Sequence, residues 1–429
     1  MFTAGYAQTP DKTKLDQFFN RLAEKNKAMG SLTLAKDGNV VYTRAIGYSL
    51  INGTEKKPVS GATRYRIGSI TKMFTASMIF QLVEENKIKL TDTLDKFFPQ
   101  IPNAQKISIA QMLGHRSGII DLTGSGDFRS WKTQPKTKDE MVAIIAKGKP
   151  VFEPDAKAEY SNSNFVLLGY IVEKAGGKSY QEALTQRITS KIGLKDTYLG
   201  TGYVDAGKNE GLSYNFVGDW KQEAETHLSI PGGAGAMIST PNDLTRFIQA
   251  LFDGKIVSKE SLEQMKPRDK YGLGINLYPL GDRNFLGHGG GIDGFRSLLV
   301  YLPEEKLALA YTSNGVNYPS NNIVTGVFDI YWNKPFEIPT FETVAVSAEV
   351  LDKYVGVYSS AEAPFKLTIT RDGSTLLAQP TGQPAFPFEA TAQDKFKFEA
   401  RGLVLEFDAA KTQMTLKQGA RNLVFTKEN

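Results

Sequence analysis

Arg66-Ile67-Gly68-Ser69-Ile70-Thr71-Lys72-Met73-Phe74 reads as a strand running into a helix that opens at the serine. Ile70, Phe74, Ser77, Met78, Gln81 and Leu82 follow at helical spacing. Ser69 and Lys72 therefore share one face, three residues apart, near the helix start. A serine hydroxyl is a weak nucleophile at neutral pH. A lysine can take its proton only where burial or nearby positive charge lowers the pKa of the amine. The helix N-terminus adds unpaired N–H groups and a dipole, both of which favour an oxyanion forming beside Ser69. Ser-x-x-Lys occurs once in the chain.

Upstream of this junction, Leu15, Phe18, Phe19 and Leu22 predict an amphipathic helix. Leu32–Lys36 and Val40–Arg44 flank Asp37-Gly38, a pair that accepts the positive φ angles of a tight hairpin turn. Downstream, the pattern is mostly helical as far as about residue 265. Helices are expected over about 139–147, 164–175 and 179–190, and another starts at Pro241 behind the N-cap Thr240 and closes at Gly254. Strand character returns at Leu273–Leu277, Phe285-Leu286, Ser297–Tyr301 and Leu307–Tyr311, followed by a helix from about Asn321 to Trp332. These strands should join the opening hairpin in one antiparallel sheet with the first and last helices packed on it, and a cleft should separate the sheet from the inserted helical region.

Beyond about residue 347 the pattern changes to short alternating strands: Tyr354–Tyr358, Phe365–Thr370, Thr375–Gln379, Phe386–Glu389, Lys395–Glu399, Leu403–Phe407, Gln413–Leu416 and Leu423–Phe425. Asp372-Gly373 and Arg401-Gly402 supply turns, and eight such strands can close into a small antiparallel β-barrel. The expected class is thus α+β: an antiparallel sheet flanked by helices, an inserted mostly α-helical region, and a C-terminal barrel. The divisions expected are a tail at 1–9, a main domain at 10–333, a linker at 334–346 and the barrel domain at 347–429.

The 429 residues carry 51 Lys and Arg against 46 Asp and Glu, a net charge of +5 spread along the chain. There is no basic stripe interleaved with aromatics, so a nucleic-acid partner is not expected. The absence of cysteine excludes disulfides, thiolate metal sites and cysteine nucleophiles. The three histidines, His115, His227 and His288, lack metal-ligand spacing. No metal or cofactor is expected, and no apolar run is long enough to span a membrane. Met1–Gln8 reads either as the remnant of a secretory signal or as a disordered tail, the first implying a periplasmic or secreted bacterial protein.

Two further elements carry chemistry. Tyr160-Ser161-Asn162 lies just before the helix expected near Asn164. A phenol beside a lysine can pass protons, and a carboxamide can hold that lysine and bind a substrate amide. A second Tyr-x-Asn, Tyr331-Trp332-Asn333, sits at a helix end and reads as packing. His288-Gly289-Gly290-Gly291 follows a strand. Its glycines permit close approach of a ligand and leave N–H groups to donate. His115, among loop and capping residues, reads as a structural hydrogen-bonding group.

Taken in order, Ser69-x-x-Lys72, Tyr160-x-Asn162 and His288-x-Gly290 resemble the three motifs of the penicillin-binding and serine β-lactamase-like superfamily. The branch most similar holds class C β-lactamases, DD-carboxypeptidases, D-aminopeptidases and esterases. His115-Arg116-Ser117-Gly118 and Gly235–Thr240 are also similar to that branch. The resemblance covers about residues 10–333 and implies a β-lactamase/transpeptidase-like fold. It further implies that Ser69 is acylated, that Lys72 and Tyr160 share the proton transfers, and that Asn162 orients Lys72 and the substrate amide. The N–H groups of Ser69 and Gly291 would form the oxyanion hole, with His288 lining the site. Residues 347–429 resemble the lipocalin-like domain that some members carry, on the strength of Leu351–Tyr358.

His288 stands where many β-lactamases have lysine, and Gly289 where many have threonine or serine. A substrate carboxylate so loses a fixed cation and a hydroxyl donor, each worth about 1–3 kcal/mol. The expected activity is therefore that of an acyl-serine hydrolase of small peptides, amides or esters. The alternatives are a β-lactamase or DD-carboxypeptidase, or a receptor that is acylated without turnover. The sequence leaves the natural substrate and the oligomeric state open.

Overall fold

In the computed structural model, residues 10–268, 270–408, 410 and 412–428 are described. The segment read as a signal remnant lies outside the described residues. Helix α1 (Lys12–Glu24) leads into strands β1 (Ala28–Lys36) and β2 (Asn39–Ile46). Asp37 and Gly38 join the two strands with φ of +50° and +80°, as the turn requires. Helix α2 (Thr71–Glu84) follows the serine, α3 (Asn162–Gly176) follows Ser161, and α4 (Pro241–Phe252) starts behind Thr240, whose side chain accepts from Asp243 N–H. Strands β3 (Asn276–Leu280), β4 (Arg283–Ile292), β5 (Phe295–Leu302) and β6 (Leu307–Val316) complete a sheet ordered β3-β4-β5-β6-β1-β2. The central strands β1 and β6 are buried almost throughout, so they read as continuous apolar and small-residue runs. The edge strand β2 is exposed or half-buried except at Tyr42 and Ile46.

Every residue from Thr71 to Leu82 is buried, so α2 is surrounded on all faces. Phe74 stacks on Phe247 of α4 with ring centroids 3.6 Å apart. The inserted region is less uniformly helical than its periodicity suggests. Tyr65–Arg66, Met237–Ser239 and Tyr198–Leu199 form a three-stranded sheet whose members are too short to leave a period in the sequence. The helix expected over 179–190 is broken: an α-helical turn at Tyr180–Leu184 passes into a wider turn at Thr185–Thr189.

The chain forms two compact units. Of the described residues, the larger unit comprises those in 29–213 and 223–314; the other takes those in 10–28, 214–222 and from 315 onward. In the latter, helix α5 (Ser320–Tyr331) is followed by α6 (Ala348–Tyr354). The eight barrel strands then run as β7 (Gly356–Ser359), β8 (Leu367–Asp372), β9 (Thr375–Pro380), β10 (Phe386–Ala390), β11 (Lys395–Phe398), β12 (Leu403–Asp408), β13 (Gln413–Gln418) and β14 (Arg421–Lys427). Pairing of Tyr358 with Lys427 and of Ser359 with Thr426 closes the barrel. Ile369, Leu376, Leu405, Met414 and Phe425 fill its core. Tyr354 was expected in the first strand but ends α6 instead: Ser347 caps that helix by accepting from Val350 N–H, and the chain extends only from Val355. In the same unit Lys27, 2% exposed, forms ion pairs with Glu389 of β10 and with Glu399, and its carbonyl accepts from Asn317 N–H.

Candidate active site

Ser69 does not open the α-helix. It lies in a tighter 3₁₀ turn, Gly68–Ile70, which passes into α2 at Thr71. The turn hands the chain to the first turn of α2, where Lys72 Nζ stands 2.9 Å from Ser69 Oγ. The turn is anchored on two sides. Ile67 N–H donates to Met237 O at 3.0 Å, and Ser297 Oγ donates to Ile67 O at 2.8 Å. Gly68 has φ of +51°, and a Cβ built on it would stand 2.8 Å from Gly291 N. Glycine is what lets the serine turn and β4 approach this closely.

Lys72 is fully buried, and Nζ meets three oxygens: Ser69 Oγ, Asn162 Oδ1 at 2.8 Å and Ala234 O at 2.7 Å. None of the three is a carboxylate. Burial therefore lowers its pKa from 10.5 to about 7, opposed only in part by the field of Asp121. A neutral amine in this cage gives its two hydrogens to the carbonyl oxygens and turns its lone pair to Ser69.

Tyr160 O–H donates to Ser69 Oγ at 2.8 Å. Burial raises its pKa above the ordinary value, so the phenol stays protonated. His115 stacks on the Tyr160 ring at 4.3 Å, and its Nδ1 accepts from Ser161 N–H at 3.2 Å, fixing the loop that presents the phenol. Burial holds the imidazole well below its ordinary pKa, with the field of Lys72 adding to the effect. Asn162 is the first residue of α3, two positions earlier than the sequence suggested, since Ser161 is already the extended residue before the helix. Its Nδ2 donates to Asp121 Oδ1 at 3.2 Å and Oδ2 at 3.3 Å and to Thr123 Oγ1 at 3.3 Å, which aims Oδ1 at Lys72. Asp121 carries no motif signal of its own, although it lies three residues after Gly118 of the His115-Arg116-Ser117-Gly118 stretch.

His288-Gly289-Gly290-Gly291 does not follow a strand but continues it. All four residues belong to β4, with His288 opposite Leu299 and Gly290 opposite Ser297. A Cβ on Gly290 would lie 2.1 Å from Ile67 O, so this glycine seats the serine turn against the strand. His288 is buried behind Tyr160, ring centroids 6.5 Å apart, with Nδ1 2.6 Å from Gly289 O. Burial lowers its pKa to about 4, and the field of Lys72 acts the same way. Ser69, Tyr160, Asn162 and Gly291 border a cleft of about 370 Å³; Leu122, Phe128, Val166 and Ile230 give it an apolar wall. His288 and Gly290 stand behind it.

An ion cluster borders the same cleft, with Lys132, Thr226 and Asp293 among its lining. Arg66 donates to Glu225 at 2.8 Å and to Asp293 at 3.3 Å; Asp293 also accepts from Lys132 at 2.9 Å and from Thr226 N–H at 2.9 Å. Arg66 is three residues from Ser69 and Asp293 two residues from Gly291, so their ion pair ties the serine turn to the end of β4. Neither residue belongs to a motif, and their pairing across 227 positions is not visible in sequence.

A serine turn leading into a helix beside an antiparallel sheet, with lysine and tyrosine converging on the hydroxyl, is the arrangement of the β-lactamase-like serine hydrolase superfamily. The chain belongs to the family described as Beta-lactamase, whose model matches residues 15–326. It is similar to a penicillin-binding protein of Bacillus subtilis strain 168, 25% identical over 95% of this chain and 96% of that one. Among solved structures, it resembles the D-amino acid amidase of Ochrobactrum anthropi SV3 complexed with D-phenylalanine, at 27% identity and TM-score 0.65 over 75% of this chain and 99% of that chain. It also resembles the octameric penicillin-binding protein homologue of Pyrococcus abyssi, at 26% identity and TM-score 0.64 over 96% of this chain and 100% of that one.

Proposed function

We propose that this protein cleaves amides, small peptides and esters through an acyl-Ser69 intermediate, and that D-amino acid amides with apolar side chains are its preferred class of substrate. The observation that carries the reading is the shell of Lys72, three oxygens and no carboxylate around a fully buried amine. Such an amine is a base near neutral pH. As Ser69 Oγ bonds to the scissile carbonyl carbon, its proton moves to Lys72 and the carbonyl electron pair moves onto oxygen, where the N–H groups of Ser69 and Gly291 receive it. When the carbon–nitrogen bond breaks, Tyr160 O–H protonates the leaving nitrogen and is itself reprotonated from Lys72. Water then releases the acyl group by the same steps in reverse. The apolar wall of Leu122, Phe128, Val166 and Ile230 suits a hydrophobic acyl side chain, and the similarity to an amidase complexed with D-phenylalanine supports the same class.

Intact-mass detection of a +acyl adduct with D-phenylalanine esters and amides, followed over time, tests this. An adduct that forms and decays in the wild type and is absent in Ser69→Ala is the expected result. Turnover that survives in Ser69→Ala would end the acyl-serine reading. The similarity to penicillin-binding proteins along nearly the whole chain supports a second reading, a protein acylated by penicillins without turnover. A penicillin adduct stable for hours, with no hydrolysis of any amide, would favour it.

A further inference from the structure

Strand β4 presents one edge to β3 as far as the pair Asn276–Gly287, where β3 pairing stops. Backbone groups of alternate residues point to the same edge, so after Gly287 the next positions there are Gly289 and Gly291. Both groups of Gly289 are occupied: its N–H donates to Tyr278 Oη at 2.6 Å, and its carbonyl lies 2.6 Å from His288 Nδ1. Gly291 borders the cleft beside Ser69. A substrate held with its scissile carbonyl at Ser69 and Gly291 has two directions along β4. Toward Ile292 and Asp293 it enters the cleft, whose apolar wall of Leu122, Phe128, Val166 and Ile230 suits the acyl half. The other direction leads past Gly289 to Tyr278, and the leaving group must take it.

Tyr278 is half-buried on β3. Its oxygen stands 3.0 Å from where a Cβ on Gly289 would be, so the phenol fills the space of the hydroxyl-bearing side chain that Gly289 lacks. It accepts from Gly289, and its own proton meets no acceptor among the described residues. We propose that Tyr278 is a specificity-determining residue, its O–H donating to a carboxylate or carbonyl oxygen on the residue that leaves, so that the site accepts peptides as well as simple amides. The missing hydroxyl is supplied from the neighbouring strand. This rests on the acyl-serine amidase reading.

The test compares kcat/KM for D-phenylalanyl-D-alanine, whose leaving group carries a carboxylate, with that for D-phenylalaninamide, whose leaving group is ammonia. Tyr278→Phe should lower the dipeptide-to-amide ratio about tenfold. Adding Gly289→Thr to Tyr278→Phe, where the absent phenol oxygen leaves room for the new side chain, should restore most of that ratio. An unchanged ratio in Tyr278→Phe, equal losses on both substrates, or a wild type that cleaves the amide but not the dipeptide overturns the proposal and leaves the amidase reading standing. A wild type that cleaves neither overturns the amidase reading, and the proposal with it.

Discussion

Among the described residues, two lysines are almost completely removed from water, one in each unit, and their surroundings differ in one respect. Lys27, behind α1, forms ion pairs with Glu389 and Glu399 and leans on the ring of Phe341 at 5.3 Å. Lys72 has an asparagine oxygen, a backbone carbonyl and a serine hydroxyl. Carboxylates compensate a buried positive charge, so the first arrangement holds structure together; neutral oxygens compensate it poorly, so the second favours the free amine. Burial alone does not make a lysine a base. The absence of a carboxylate within bonding distance does.

The largest test of this contrast is loss of the amine itself. Lys72→Met should lower kcat/KM by about 10³-fold or more, as removal of an activating base does. Because Lys72 and Tyr160 meet on one oxygen, the double variant Lys72→Met/Tyr160→Phe should be hardly worse than the poorer single variant. Losses that multiply fully in steady-state kinetics would show two independent groups.

Breaking the other lysine's shell should act on stability and leave catalysis alone. Glu389→Ala strips Lys27 of one carboxylate, and since Glu389 is itself 23% exposed, a loss of about 2 kcal/mol is expected, less than for a fully buried pair. Urea denaturation would measure it, beside unchanged kcat/KM. A stable variant with impaired turnover would mean that the two lysines do not divide the work in this way.

Acylation should rise with pH through about 7 as Lys72 loses its proton, and Tyr160, with its pKa raised above the ordinary 10.0, should cause no alkaline fall below that value. The same shift has a sign in stability. Between about 7 and 10.5 the unfolded chain binds this proton and the folded one does not, so the wild type should gain stability relative to Lys72→Met as pH rises across that window. The smallest effect is expected at Asp121, whose negative field raises the pKa of Lys72 against burial. Asp121→Asn should move the midpoint of the acid limb to lower pH. A midpoint that stays fixed or rises would mean that Asp121 acts only by holding Asn162.

What the sequence made legible follows from how local each signal is. The eight barrel strands were visible because each alternates over its own few residues and a turn residue ends it; so was the Asp37-Gly38 hairpin, set by two adjacent φ angles. Ser69 and Lys72 were visible because a single helical turn relates them. The strand through His288–Gly291 was hidden because its glycines have no side chains to alternate, and they are seated by Ser297 across the hairpin and by Ile67 from a distant part of the chain. Asp121, Tyr278 and the pair Arg66–Asp293 acquire their roles only through partners 11 to 227 positions away.

The approach of the serine turn to β4 bears on how this chain tolerates mutation. At position 68 a side chain would meet Gly291 N at 2.8 Å with φ at +51°, and at position 290 it would meet Ile67 O at 2.1 Å. Both obstacles are backbone, which no change of rotamer can move aside. In a saturation library selected for turnover, these two positions should empty of every residue but glycine. Leu122, Phe128 and Ile230, which border the same cleft, should drift among apolar residues and carry whatever substrate preferences diverge.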